Sequence, residues 1–371
     1  MAKSSDNADR RHMEAALGLA RRGLGRVWPN PAVGCVLVRD GRVVGRGWTR
    51  PGGRPHAETE ALGRAGGASR GATAYVSLEP CSHHGQTPPC ADALIAAGIA
   101  RAVVAVEDPD PRVSGRGVAR LERAGVPVTL GVCRDEAAAL NAGFFLRIRE
   151  GRPLVTWKTA TSLDGKIATH IGESQWITGE DARARAHLLR ANHDAIAIGV
   201  GTAVADDPQL TCRLPGLEEA SPVRVVIDGR LRLPLTSRLV AMAGSVPTWF
   251  ITRNDAPEER RAMLRDAGVE VIPVGPGEGD RPHLGEALRA LGARGITRLL
   301  LEGGSQLAAA FLRDGCVDRI AWFRGPYVFG GDGLPAAAGF GVEHIARSPA
   351  FARVAITTCG VDTLETFARR P

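Results

Sequence analysis

Residues 72–107 read ATAYVSLEPCSHHGQTPPCADALIAAGIARAVVAVE. ATAYVSL (72–78) is a short apolar run of strand type, and ARAVVAVE (100–107) is a second. Residues 90–98 between them have helical spacing. A strand, a cysteine-opened helix and a second strand form a βαβ unit with a buried parallel sheet. Upstream, VGCVLVR and RVVGRGW flank Asp40-Gly41, two residues that tolerate positive φ, so this stretch is predicted to be a hairpin. Amphipathic helices are expected at 9–24 and about 57–65. Downstream, a helix is expected at 115–124, a strand at 126–132 and a helix at 134–142. RIREGRP (147–153) is charged, contains Gly and Pro, and reads as a linker.

A second α/β series starts at LVTWKTA (154–160). Its strands are expected at 194–200, 223–228, 248–252, 269–274 and 297–304, and its helices at 179–190, 257–267, 284–292 and 305–313. No short repeat relates the halves. The length of 371 residues fits two domains at about 150 residues each. With 44% hydrophobic and 23% charged residues the chain is of globular type, and no apolar run reaches the ~18 residues of a membrane span. The N-terminal stretch lacks the apolar core of a secretory signal, so a cytoplasmic enzyme is expected. Seven scattered cysteines do not make a disulfide framework.

The formal charge of +7 allows a nucleic-acid or an anionic small-molecule partner. No polybasic run occurs and aromatics are only 5%, which is thin for base stacking. Of 47 basic residues only Lys3, Lys158 and Lys166 are lysine, and two of these fall within 158–168. An amine is therefore expected to have a use in that segment.

His56-Ala57-Glu58 and Pro80-Cys81…Cys90 both lie just before predicted helices. Two helix starts can aim His56, Cys81 and Cys90 at one zinc ion and leave its fourth position for water. Zinc lowers the pKa of that water from ~15.7 to about 7, so a nucleophile forms at neutral pH. Glu58, two residues from His56, is placed to shuttle protons from water to ring nitrogen and leaving amine. His-x-Glu with Pro-Cys-x-x-Cys is the signature of zinc nucleobase deaminases. Here eight residues, not two, separate the cysteines. A ligand set using His83 or His84 stays open, as does a zinc kept only for structure. In the second half no G-x-G-x-x-G joins a strand to a helix. Gly199-Val200-Gly201-Thr202 and Glu302-Gly303-Gly304-Ser305 are strand-to-helix turns that either approach phosphates or simply turn the chain.

NPAVGCVLV (30–38), HAE (56–58), EPCSHHGQTPPC (79–90) and EDPDP (107–111) together resemble the bifunctional riboflavin-biosynthesis deaminase–reductases. So do KTATSLDGKIA (158–168), SQWITG (174–179), LLRANHDAIAIGVGT (188–202), ADDPQLTCR (205–213), RVVID (224–228) and LLLEGGSQL (299–307). The resemblance spans nearly the whole chain. It implies an α/β protein with a cytidine-deaminase-like three-layer domain at 1–147, a linker at 148–152 and a dihydrofolate-reductase-like domain at 153–371. The implied reactions are removal of a ring amine from a phosphoribosylamino-diaminopyrimidinone, then reduction of the ribosyl group to ribityl with NADPH.

By resemblance, Zn²⁺ falls on His56, Cys81 and Cys90, proton transfer on Glu58, and pyrimidine contacts on Asn30 and Asp108. NADPH contacts fall on Ala160, Trp176, Thr202, Asp206 and the turn Gly304, Ser305, Gln306 and Leu307. Substrate contacts fall on Ser174, Arg190, Leu210, Arg213 and Glu302. Two arginines suit a phosphate. Lys158 is expected to polarise the sugar and Asp206 to position it or relay a proton; a capped turn is the other reading of Asp206. Many relatives carry histidine at Thr49 and a basic residue at Gln86, and Arg50 or Arg54 are the candidates to compensate. The partner expected is a small phosphoribosylated pyrimidine, with no nucleic acid and no membrane, and the chain is expected to form a homo-oligomer (dimer or tetramer). The rival reading is a tRNA deaminase with an accessory domain.

Overall fold

The computed structural model describes residues 2–83 and 88–370; His84 and Gln86 lie outside the described residues. The chain divides into two compact units, residues 1–150 and 151–371. The first begins with α1 (Ala2–Ala20), β1 (Gly34–Arg39), β2 (Arg42–Trp48), α2 (Ala57–Ala65) and β3 (Thr73–Val76). It continues with α3 (Cys90–Ala96), β4 (Arg101–Val104), α4 (Arg116–Arg123), β5 (Val128–Leu130), α5 (Arg134–Leu140) and α6 (Ala142–Glu150).

The Asp-Gly hairpin forms as expected, with Asp40 at φ 50° and Gly41 at φ 73°. The sheet runs β2-β1-β3-β4-β5. It is parallel only from β3 to β5, because β1 pairs antiparallel with both its neighbours, so the expectation of a largely parallel sheet holds for its second half. Glycines let helices rest on bare strand backbone. A Cβ on Gly34 would lie 1.9 Å from the Ala16 carbonyl of α1. On the other face, Cβ atoms on Gly45 and Gly47 would lie 2.3 Å from the Ala61 and Ala57 carbonyls of α2. Successive strand residues face opposite ways, and Gly47 pairs with Cys35, next to Gly34; α1 and α2 therefore cover opposite faces. This makes the three layers.

The segment expected as a linker is helical up to Glu150, and α6 has no counterpart in the sequence reading. Its charges mask an apolar face. Phe144 and Phe145 are buried, and Ile148 packs on the same core.

The second unit starts with β6 (Leu154–Thr161), β7 (Lys166–Ala168), α7 (Glu180–Ala191), β8 (Ala195–Gly199), α8 (Val200–Asp206) and β9 (Val223–Ile227). Next come α9 (Arg238–Ala241), β10 (Thr248–Arg253), α10 (Glu258–Asp266), β11 (Glu270–Val274), α11 (Leu284–Ala293), β12 (Arg298–Leu301) and α12 (Ser305–Arg313). The unit closes with β13 (Arg319–Arg324), β14 (Leu334–Pro335), β15 (Phe351–Cys359) and β16 (Asp362–Arg369). Its main sheet runs β11-β10-β9-β8-β12-β6-β13-β16-β15, parallel from β11 to β13 and antiparallel thereafter. The central strands β8 and β12 read as near-continuous apolar runs because both sheet faces are covered. Among the described residues no helix is long and apolar enough to cross a membrane.

Gly34→Ala should destabilise the first unit by about 1–3 kcal/mol, because the methyl group meets helix backbone that can move only by lifting α1. Urea unfolding checks this; an unchanged midpoint would mean that α1 yields without cost.

Candidate functional site

In the first unit two helix starts meet. His56 is the residue that precedes α2, and Cys90 opens α3. Cys81 lies on the loop after β3, and its sulfur accepts the Cys90 N–H at 3.2 Å. One ligand atom from each of His56, Cys81 and Cys90 lies within 4.8 Å of the others. His56 Nδ1 is 3.3 Å from Cys90 Sγ and 3.7 Å from Cys81 Sγ. Zinc bonds of about 2.3 Å to sulfur and about 2.05 Å to nitrogen at tetrahedral angles give N···S edges of about 3.6 Å. The donor set and its spacing therefore fit zinc. His83 lines the same cavity but is not in this cluster.

The electrostatics agree. A hydrogen bond from the Cys90 thiol, opposed by burial and helped by His56 and the Cys90 N–H, draws the Cys81 thiol down to about 4. The Cys81 sulfur and burial push the Cys90 thiol up. The two sulfurs thus hold one proton between them, in the place where a dication would sit. Glu58, in the first turn of α2, is buried; burial, then the Cys81 charge, push its carboxyl up to about 7. A carboxyl poised there can both take and give a proton at neutral pH.

The cavity above this cluster has a volume of about 210 Å³. Asn30, Asp108, His56, Glu58 and Cys81 line it, and Cys90 is buried behind them. Asn30 has room because Gly53, at φ 85°, has no Cβ, which would sit 2.0 Å from Asn30 Nδ2. Burial pushes the Asp108 carboxyl up to about 7. Thr49 is a clip: its hydroxyl accepts the Val33 N–H at 3.0 Å. Arg54 lines the cavity, whereas Arg50 lies over the Trp48 ring at 4.6 Å.

Several contributors escaped the sequence reading. Glu79 accepts N–H groups from Asp108, Gly115, Gly117 and Val118 at 2.8–3.2 Å, which locks the strand end before Cys81 to the start of α4. Arg112 and Arg147 also line the cavity. An arginine on the apolar flank of Phe144-Phe145-Leu146-Arg147-Ile148 was the available signal for the second.

The second unit has a crevice of about 520 Å³. Lys158, Ala160, Ser174, Trp176, Thr202, Asp206, Glu302 and Gly304 all line it. Leu210, Arg213, Ser305, Gln306 and Leu307 do not. Leu210 is core, Leu307 packs beneath Gly303, and Arg213 and Gln306 are exposed. The two glycine turns end neighbouring parallel strands, and the Gly304 N–H donates to the Thr202 hydroxyl at 3.1 Å. The open N-terminus of α12 and the flat ring of Trp176, 61% exposed with Arg183 over it, are of a kind that suits a dinucleotide.

Arg190 does not face the crevice with an open fork. It grips both oxygens of Glu302 at 2.9 Å, and Lys158 Nζ stands 4.0 Å from the same carboxylate. Burial works to raise the Glu302 carboxyl, but Arg190 and Lys158 overcome it and hold it at about 2. Burial lowers the Lys158 pKa, with Glu302 opposing. Asp207, in the turn after α8, accepts the Arg238 N–H at the start of α9 at 2.8 Å, and Asp206 lines the crevice.

Two outcomes follow from these geometries. The purified protein should carry about one zinc per chain in the first unit, and Cys90→Ala should lose it; elemental analysis reads this directly. Glu302 is depressed from 4.5 to about 2, so its contribution to stability is complete above the ordinary value and is lost as pH falls towards 2. The gap in urea midpoint between the wild type and Glu302→Gln should therefore close between about pH 5 and pH 2.

Residues 6–106 match the family model for the cytidine and deoxycytidylate deaminase zinc-binding region, and residues 153–364 match that for the RibD C-terminal domain. The riboflavin biosynthesis protein RibD of Bacillus amyloliquefaciens is 41% identical over 95% of this chain and 94% of its own. The structure of Acinetobacter baumannii RibD superposes with a TM-score of 0.88 at 37% identity, over 99% of this chain and 100% of that one. A Thermotoga maritima structure described as a diaminohydroxyphosphoribosylaminopyrimidine deaminase/5-amino-6-(5-phosphoribosylamino)uracil reductase gives 0.86 at 34% identity, with the same coverage. The chain thus belongs to the RibD family of bifunctional riboflavin-biosynthesis enzymes, joining a zinc-binding cytidine-deaminase-like domain to an NADPH-dependent, dihydrofolate-reductase-like domain.

Proposed function

We propose that residues 1–147 deaminate a diaminohydroxyphosphoribosylaminopyrimidine and that residues 153–371 reduce the resulting 5-amino-6-(5-phosphoribosylamino)uracil, with 148–152 between them. The supporting observation is the convergence of His56, Cys81 and Cys90 beside the buried Glu58. His56, Cys81 and Cys90 hold the metal. Zinc, when bound, supplies water activated near neutral pH. Glu58 takes one proton from the attacking water and delivers it to the ring nitrogen, then takes the second from the hydroxyl added to the ring carbon and passes it to the departing amine, so that the C–N bond breaks, ammonia leaves and a ring carbonyl remains. Asn30 and Asp108 orient the pyrimidine.

In the second site NADPH, when bound, supplies the hydride that reduces the ribosyl carbon. Ala160, Trp176, Thr202, Asp206 and Gly304 hold the dinucleotide. Ser174 and the Arg190–Glu302 pair hold the substrate. Lys158, steadied by Glu302, donates a hydrogen bond to the opening sugar, and Asp206 positions it. The enzyme works in the cytoplasm as a homo-oligomer, without nucleic acid; seven free thiols suit a reducing compartment.

Ammonia release and NADPH absorbance, followed separately, test both halves. Glu58→Gln should keep its zinc and lose ammonia release by at least ~100-fold while NADPH oxidation on pre-deaminated substrate persists. Lys158→Met should do the reverse. Near-normal ammonia release from Glu58→Gln would remove the shuttle role.

A further inference from the structure

We propose that a second cavity of the reductase unit, walled by Tyr327, Phe329, Trp176 and Ile177, seats the uracil ring of the substrate during reduction. This rests on the reading of the second unit as the reductase of a phosphoribosylaminouracil, and deepens it. The cavity has a volume of about 240 Å³ and adjoins the crevice, with which it shares Ser174, Gln175, Trp176 and Ile177. The chain is sparing with rings, at 5% aromatic. Among the described residues only two Trp, Tyr or Phe side chains are exposed, Trp176 and Tyr327, at 61% and 50%, and both line this cavity. Tyr327 and Phe329 are stacked, with ring planes 21° apart and centroids at 6.3 Å. Rings left open to water beside a small-molecule site are stacking surfaces for a flat heterocycle.

The rings stand on a fixed wall. Gly325 rests on the Ile177 carbonyl, which a Cβ would approach to 2.0 Å, and its N–H donates to the Thr161 carbonyl at 2.8 Å. The Leu163 N–H donates to the Tyr327 carbonyl at 2.7 Å. The Asp164 carboxylate accepts the N–H groups of Phe329 and Gly330 at 3.2 and 2.8 Å. The Ser162 hydroxyl, opposed by burial and helped by those amides, holds the Asp164 carboxyl at about 2, so this clip is ionised at neutral pH. The stretch SLDGK (162–166), which the chemistry of neither site uses, thus fixes the loop that carries the two rings.

Room and direction select the occupant. Hydride transfer needs dinucleotide and substrate bound together, and a crevice of about 520 Å³ is of the size usual for one drug-sized ligand, ~300–1,000 Å³. The glycine turns suited to the dinucleotide's phosphates close β8 and β12, whereas Tyr327 and Phe329 follow β13, on the other side of β6 with its Lys158. The uracil is joined through a single nitrogen to the sugar carbon that takes the hydride, so it lies beside the ribosyl group. Ser174, which lines both cavities, stands at that junction. The adenine of the dinucleotide is also flat, but the phosphates separate it from the reacting carbon. Beside the rings, the Gln175 amide both donates and accepts, as the edge of a uracil requires.

The test uses the full-length enzyme, pre-deaminated substrate and NADPH, with ribose 5-phosphate as a competitor that has no ring. Tyr327→Leu and Phe329→Leu keep apolar bulk but remove the flat ring. Each should raise KM for the pyrimidine by about 5–100-fold, with kcat within about threefold. KM for NADPH and the inhibition constant of ribose 5-phosphate should move by less than about threefold. Tyr327→Phe should recover most of the KM lost in Tyr327→Leu. Urea midpoints guard against misfolding, and the two positions test the same wall independently. A matching rise in KM for NADPH would give the cavity to the dinucleotide and overturn the assignment. So would a matching rise in the ribose 5-phosphate constant, or no change in any constant. If the wild type oxidised no NADPH with the pyrimidine substrate, the reductase reading itself would fall and take the subsite with it. Normal wild-type turnover with unselective variants would sink the subsite alone.

Discussion

Everything in the first unit depends on three donor atoms being brought within one metal radius of a common point. Neither sulfur nor the imidazole is held by a long lever. His56 stands at the threshold of α2, Cys90 is the first residue of α3, and the Cys90 amide touches the Cys81 sulfur. The backbone of two helix starts therefore sets the spacing, and the surrounding sheet sets the helices. The Cys90 amide at the start of α3 donates to the Cys81 sulfur, which favours that sulfur's charged form before any metal is considered.

The same economy places the proposed proton carrier. Glu58 is the second residue of the helix that His56 introduces, so the proposed metal ligand and the proposed proton carrier are fixed by a single turn of chain. Burial raises its affinity for a proton into the range where transfer in either direction is easy. In the second unit the logic is inverted. Glu302 is kept ionised by Arg190 and Lys158, so it acts as a fixed negative anchor for an amine and not as a proton source.

How much of this was readable from the letters alone depended on range in sequence. The hairpin at Asp40-Gly41, the helix starts at His56 and Cys90 and the glycine turns at 199 and 304 are local signals, and they fall where expected. α6 was hidden because Arg147, Arg149 and Glu150 outweigh Phe144, Phe145 and Ile148 to the eye, though only the latter meet the core. Arg190 looked like a phosphate grip because its partner, Glu302, is 112 residues away. Glu79 looked like part of a motif, but its amide partners are Asp108, 29 residues on, and Gly115, Gly117 and Val118 at a helix start 36–39 residues on. The last strands of the sheet, β13, β15 and β16, carry no motif and were not separately resolved. Pairings made across the fold leave no periodicity for a reader to find.

The bare strand backbone beneath α1 and α2 has an evolutionary corollary. Gly34, Gly45 and Gly47 are closed to drift in one direction by collision and in the other because nothing smaller exists. Divergence among enzymes of this architecture is thereby channelled away from the layer interface and into the loops around the cavity. A lineage can retune what it accepts without disturbing the platform that carries its metal.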